Sequence, residues 1–129
     1  MSKFVKSINY NPKGGSVSVD IMIGQAQAGL YTVNLFDANG KNPEEVGNGN
    51  NVDDLPDTFE IKTPVAQLKS RLLGWTITIA SPEEGPAKLY FARVTIRQDG
   101  QSLSDGPFEY SGPLDGAKII LGYGRFTTI

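Results

Sequence analysis

A chain of 129 residues with a formal charge of −2, no cysteine and no histidine has the length of one domain and lacks the side chains on which much protein chemistry depends. Without thiols there are no disulfides, Cys-ligated zinc sites or iron–sulfur clusters. Without imidazole, the usual Ser and Cys triads and the commonest transition-metal ligand go too.

The 12 Lys and Arg against 14 Asp and Glu give no overall positive field, so nucleic acid is not an expected partner. No apolar run approaches the ~20 residues of a membrane span, and the N-terminal residues lack the apolar stretch of a signal peptide. The chain therefore reads as soluble and cytoplasmic, although a leader removed beforehand would leave the same residues. The 15 Gly and 8 Pro follow no collagen-like period and point to many turns.

The first expected strand runs from about Lys3 to Tyr10, with Phe4, Lys6, Ile8 and Tyr10 on one side. A lysine among apolar neighbours blunts an exposed sheet edge; anion binding is its alternative use. After the Lys13-Gly14-Gly15 turn, Val17, Val19, Ile21 and Ile23 alternate with Ser18, Asp20 and Met22, the period of a half-buried strand. Tyr31, Val33 and Leu35 repeat the pattern.

The segment from Asp37 to Asp57 is the least ordinary. Its six acids face only Lys41, a local charge of −5, so the rest of the chain is slightly positive. Asn39-Gly40 offers a turn, and Pro43 is expected to cut the returning strand short. A mobile, solvated loop is the plain expectation. The functional one is a calcium site, since carboxylates and Asn supply hard oxygen ligands, with Asp37, Asn39, Glu44, Asp53 and Asp54 as candidates. The spacing does not match an EF-hand loop.

Thr63 to Leu73 is the one segment that reads as helix: Thr63 as cap, Pro64 at the first position, Gly74 closing the end. It joins a strand at Phe59 to Lys62 with another at Trp75 to Ala80. From Lys88 to Arg97 two alternations compete, Leu89 and Phe91 against Tyr90, Ala92, Val94 and Ile96. This requires burial on both faces or a bulge. Asp99-Gly100 has the composition of a two-residue hairpin that would set Ile96 opposite Leu103. Ser111-Gly112-Pro113 and Asp115-Gly116 separate Phe108 to Tyr110 from a last strand at Ala117 to Thr128. There, Gly122-Tyr123-Gly124-Arg125-Phe126 is superficially a phosphate loop. It lacks the third glycine and the following helix, so glycines permitting a bulge or close backbone approach explain it better.

The expected fold is all-β: a single antiparallel β-sandwich domain over residues 1–129. It has about 7–9 strands, of immunoglobulin-like or jelly-roll-like type, and one short crossover helix near 64–73. A small β-barrel is the alternative. Catalysis would have to rest on carboxylates such as Asp20, Glu60 and Glu109 or on an activated Lys or Ser; solvated outward-facing charge is the simpler reading, and no enzyme is expected. Trp75 reads as core, and Tyr10, Tyr110 and Tyr123 as surface candidates for sugar binding. The leading expectation is a non-catalytic binding or assembly module, acting on a protein partner or on another copy of itself, with no cofactor. The alternative is a small-ligand module, calcium-dependent or carbohydrate-binding, that uses the acidic loop 37–57.

Overall fold

The computed structural model describes residues 5–24, 28–50, 57–80, 88–103, 107–114 and 116–128. Among them are ten strands: β1 (Val5–Tyr10), β2 (Val17–Gly24), β3 (Ala28–Phe36), β4 (Glu44–Asn50), β5 (Asp57–Glu60), β6 (Leu72–Ala80), β7 (Lys88–Gln98), β8 (Gln101–Ser102), β9 (Phe108–Leu114) and β10 (Ala117–Thr128). They form two open sheets, one ordered β1-β10-β6-β3-β4 and the other β5-β2-β7-β8, with β9 also paired to β7. The result is an all-β sandwich and not a closed barrel. Every strand pair is antiparallel except β1 with β10, which run parallel from Val5 opposite Tyr123 to Tyr10 opposite Thr128.

Period-two patterning places the core. β2 alternates buried Val17, Val19, Ile21 and Ile23 with half-buried neighbours. Tyr31, Val33 and Leu35 on β3, Leu73, Trp75, Ile77 and Ile79 on β6, and Tyr90, Ala92, Val94 and Ile96 on β7 meet them between the sheets. The two alternations of β7 resolve without a bulge: its register against β2 is continuous, and Leu89 and Phe91 point outward, Phe91 beneath the Arg93 guanidinium at 5.2 Å. Asp99 (φ 53) and Gly100 (φ 78) both take the left-handed conformation of a type I′ hairpin, and the Leu103 N–H donates to Ile96 O, as the sequence indicates.

Several expectations are corrected. The crossover helix is a single 3-10 turn, Val65–Gln67, because of the apolar residues ahead of β6 only Leu68 is buried, and Leu72 and the buried Leu73 already belong to β6. Pro64 takes the cap position at ψ 137, Thr63 donates its hydroxyl proton to Glu44, and Ser70 at φ 70 ends the turn. Backbone bonds from Ser70 N to Phe126 O and from Phe126 N to Arg71 O then tie the segment to β10.

The acidic segment is not one loop, since Glu44–Asn50 forms the edge strand β4 despite its Asn and Gly content. Its pairing skips Val46 as a bulge, and Gly47 leaves room for the Phe59 ring. Pro43 precedes the strand instead of shortening it. Finally, Ser111-Gly112-Pro113 is not a separator: β9 continues through it to Leu114, the proline being tolerated because β9 pairs on one side only, with β7.

Candidate functional site

The two sheets present different chemistry to solvent. On the outer face of the β2–β7–β9 sheet, Arg97 Nε donates to Asp20 at 2.7 Å and Arg93 Nε to Glu109 at 2.8 Å, while Thr58 donates to Asp20. Asp20, Glu60 and Glu109, the acids weighed for catalysis, all lie on this sheet, and two of them are held by arginines.

The outer face of the other sheet carries a patch of exposed apolar side chains among threonines and asparagines. Register sets its rows: Ile119–Thr78–Leu30–Asn50, then Leu121–Thr76–Thr32–Asn48, then Tyr123–Gly74–Asn34–Glu45. Leu30, Ile119 and Leu121 are each 62% exposed and Tyr123 is 39% exposed. Gly74 creates the third row's shape: Phe36 and Tyr123 close over it with ring centroids 6.4 Å apart, where a Cβ would lie 2.9 Å from Phe36 and 3.0 Å from Tyr123. Thr78, Thr76, Thr32 and Asn34 lie between these side chains on β6 and β3, and the most polar edge is β4, where Asn48 donates to Glu45.

This face exists because β10 is built in reverse of what its side chains suggest. Ile120, Gly122, Gly124 and Phe126 point inward and Ile119, Leu121, Tyr123 and Arg125 outward. The glycines admit core side chains that approach the strand closely. A Cβ at Gly122 would lie 2.7 Å from Trp75 Cζ2 and nearer still to Nε1, and one at Gly124 would lie 2.7 Å from Ile8 Cγ1. Gly122-Tyr123-Gly124 is therefore strand with close packing, not a phosphate loop.

Inside that margin, β9 faces β1, β6 and β10 across a cleft of about 290 Å³. Trp75 and Phe108 meet in its wall at 4.9 Å between centroids, and Trp75 Nε1 donates to Tyr110 Oη at 3.0 Å. Burial raises the Tyr110 pKa, and the indole N–H, which favours the phenolate, offsets this only in part. Lys6 Nζ stands 5.7 Å from the Phe108 centroid. Trp75 is core, at 2% exposure, as its alternation implies. Tyr10, taken as a surface candidate, is instead buried against Phe126 in an edge-on contact at 5.5 Å, because its register on β1 follows Ile8 into the core.

The calcium candidates are dispersed in role. Asp37 Oδ1 accepts the backbone N–H groups of Asn39 and Lys41, and Oδ2 accepts the Asn42 side chain, which shapes the β3–β4 turn. The Lys41 N–H, then the Asn42 amide, hold the Asp37 carboxyl below its usual pKa. Asn39 is exposed in the same turn. Glu44 accepts from Arg71 at 3.3 Å and from Thr63 at 3.2 Å. Asp53 and Asp54 lie outside the described residues, and among the described residues no group of three or more acids is placed to hold a metal. Likewise among the described residues, no helix is long and apolar enough to cross a membrane.

The outer face escaped sequence reasoning because Ile119, Ile120 and Leu121 give no phase. The signal that finds it is the pair of glycines two residues apart, continuing an apolar row that ends in Phe126. No protein-family model, no curated protein and no solved structure matches this chain.

Proposed function

We propose that this domain is a non-catalytic assembly module that joins a second protein chain, in the simplest case another copy of itself, through the outer face of its five-stranded sheet. The observation that carries this reading is the clustering of exposed Ile119, Leu121 and Tyr123 with Leu30 across the central strand, whereas the opposite face carries two ion pairs and, among the described residues, one large exposed apolar side chain, Leu89. An exposed apolar patch on one face is the usual mark of an interaction surface.

The size is suitable. Five strands at about 4.8 Å and nine residues at about 3.4 Å span about 24 by 30 Å, or about 700 Å², close to the ~800 Å² each partner contributes to a standard interface. A self-complementary pairing about a two-fold axis would stack the two faces about 10 Å apart, with Thr76 and Thr78 leaving room for the leucines and isoleucine of the partner.

Sedimentation velocity from low to high micromolar concentration tests this. Concentration-dependent association that is abolished by Ile119→Lys with Leu121→Lys supports the reading. Association unaffected by both lysines would place the contact elsewhere and remove the sheet face from the account.

A further inference from the structure

The cleft between β9 and the β1–β10 margin has a chemistry of its own. Its walls are rings, from Trp75, Phe108 and Tyr110, and its one acid, Glu109, is already neutralised by Arg93 at 2.8 Å. Lys6 at the rim has no carboxylate partner among the described residues; its ammonium rests over the Phe108 ring instead. Tyr110 Oη spends a lone pair on the Trp75 N–H, and its own proton has no acceptor among the described residues. An apolar slot thus carries an unmatched positive charge and an unused hydroxyl donor. At about 290 Å³ it lies at the small end of ligand pockets, with room for one ring and a short substituent.

We propose that this cleft binds a small ligand made of one apolar ring bearing a carboxylate, the ring lodged over the packed Trp75–Phe108 pair beside Leu121 and the carboxylate on Lys6 and Tyr110. A charge-assisted hydrogen bond to a carboxylate is roughly twice as strong as a neutral one, which makes the acid, not its amide, the preferred form. The lysine on the inward side of β1 then has a use beyond guarding an edge. The cleft borders the proposed assembly face, Leu121 and Tyr123 lining both, but Lys6, Trp75, Phe108 and Tyr110 belong to the cleft alone, so the Lys6 variants test ligand binding separately from assembly.

Trp75 is the sole tryptophan, so its fluorescence reports on the wall directly. The probes are phenylacetate and its neutral isostere phenylacetamide, titrated into the full chain, with amide chemical shifts to locate binding. Phenylacetate is expected to saturate and to bind about tenfold or more tighter than the amide. Lys6→Gln should bring the acid down to the affinity of the amide, and Lys6→Arg should retain the preference. Lys6 is exposed, so neither variant disturbs the core. Failure of phenylacetate to saturate into the millimolar range, equal affinity for both probes, indifference to Lys6→Gln, or shifts confined to residues outside the cleft would each overturn the proposal.

Discussion

Gly122→Ala is the substitution whose cost follows most directly from the packing of β10. The added methyl would enter the plane edge of a rigid indole, 2.7 Å from Trp75 Cζ2 and closer to Nε1 and Cε2, and Trp75 is itself 98% buried by core neighbours. Overpacking of this kind costs about 1–3 kcal/mol, and displacing the indole breaks its 3.0 Å bond to Tyr110, a further ~1 kcal/mol. The expected loss is about 2–4 kcal/mol, which for a chain of this size lowers the thermal midpoint by about 10 °C.

Two controls sharpen the comparison. Gly124→Ala meets the flexible end of Ile8 and should cost at least ~1 kcal/mol less. Gly100→Ala has no atom within 4 Å but sits at φ +78, so it should cost ~1 kcal/mol through backbone strain and leave the Trp75 emission unchanged. Chemical denaturation followed by tryptophan fluorescence measures all three. A Gly122→Ala protein within ~0.5 kcal/mol of the parent, with unaltered native emission, would refute the close-approach account of β10.

Further outcomes follow from the same structure. Gln98 is 5% exposed, accepts the Asn11 N–H at 2.8 Å, and donates to Asn11 O at 2.8 Å and Gly15 O at 2.9 Å, so it pins the β1–β2 turn to the β7–β8 hairpin. Gln98→Ala should cost about 2–3 kcal/mol in urea unfolding, since water can reach the freed turn groups only in part. Among the described residues Tyr10 Oη is buried without a hydrogen-bond partner, so Tyr10→Phe should leave stability unchanged or raise it by about 1 kcal/mol. Burial raises the Tyr10 pKa above 10.0, and burial does the same for Tyr110. Both groups therefore contribute stability that is complete below the unfolded value and is lost as pH climbs through the folded one. Ultraviolet titration should find both ionising above the ordinary tyrosine range, and Tyr10→Phe should flatten the alkaline loss. Calcium up to the millimolar range is expected to leave the unfolding midpoint unmoved, because the Asp37 oxygens are committed to the turn and Glu44 to Arg71 and Thr63; a rising midpoint would return the acidic segment to consideration.

Much of the sandwich is legible in the sequence wherever one face is apolar and the other polar. Val17 to Ile23 and Trp75 to Ile79 announce both the strand and its buried side, and Asp99-Gly100 announces its hairpin through the left-handed conformations those residues tolerate. Legibility fails where backbone pairing, not side-chain pattern, decides. Glu44–Asn50 has little strand propensity and is held by its ladder to β3; Val65–Gln67 carries a helix start signal that neighbouring contacts with β10 cut to one turn. The sheet face was hidden for a third reason. Glycines carry no hydrophobicity, so the inner row of β10 reads as weak and its exposed row as core. Parallel pairing of β1 with β10, which join residues far apart in the chain, leaves no local signature at all.

The central claim, that the outer face of the β1–β10–β6–β3–β4 sheet is where this domain meets another chain, is tested most directly by sedimentation velocity of the parent and of Ile119→Lys with Leu121→Lys. Association of the parent that strengthens with concentration and vanishes in the lysine variant is the predicted result. A parent that sediments as a strict monomer throughout would contradict self-assembly, and association identical in both proteins would contradict the face itself.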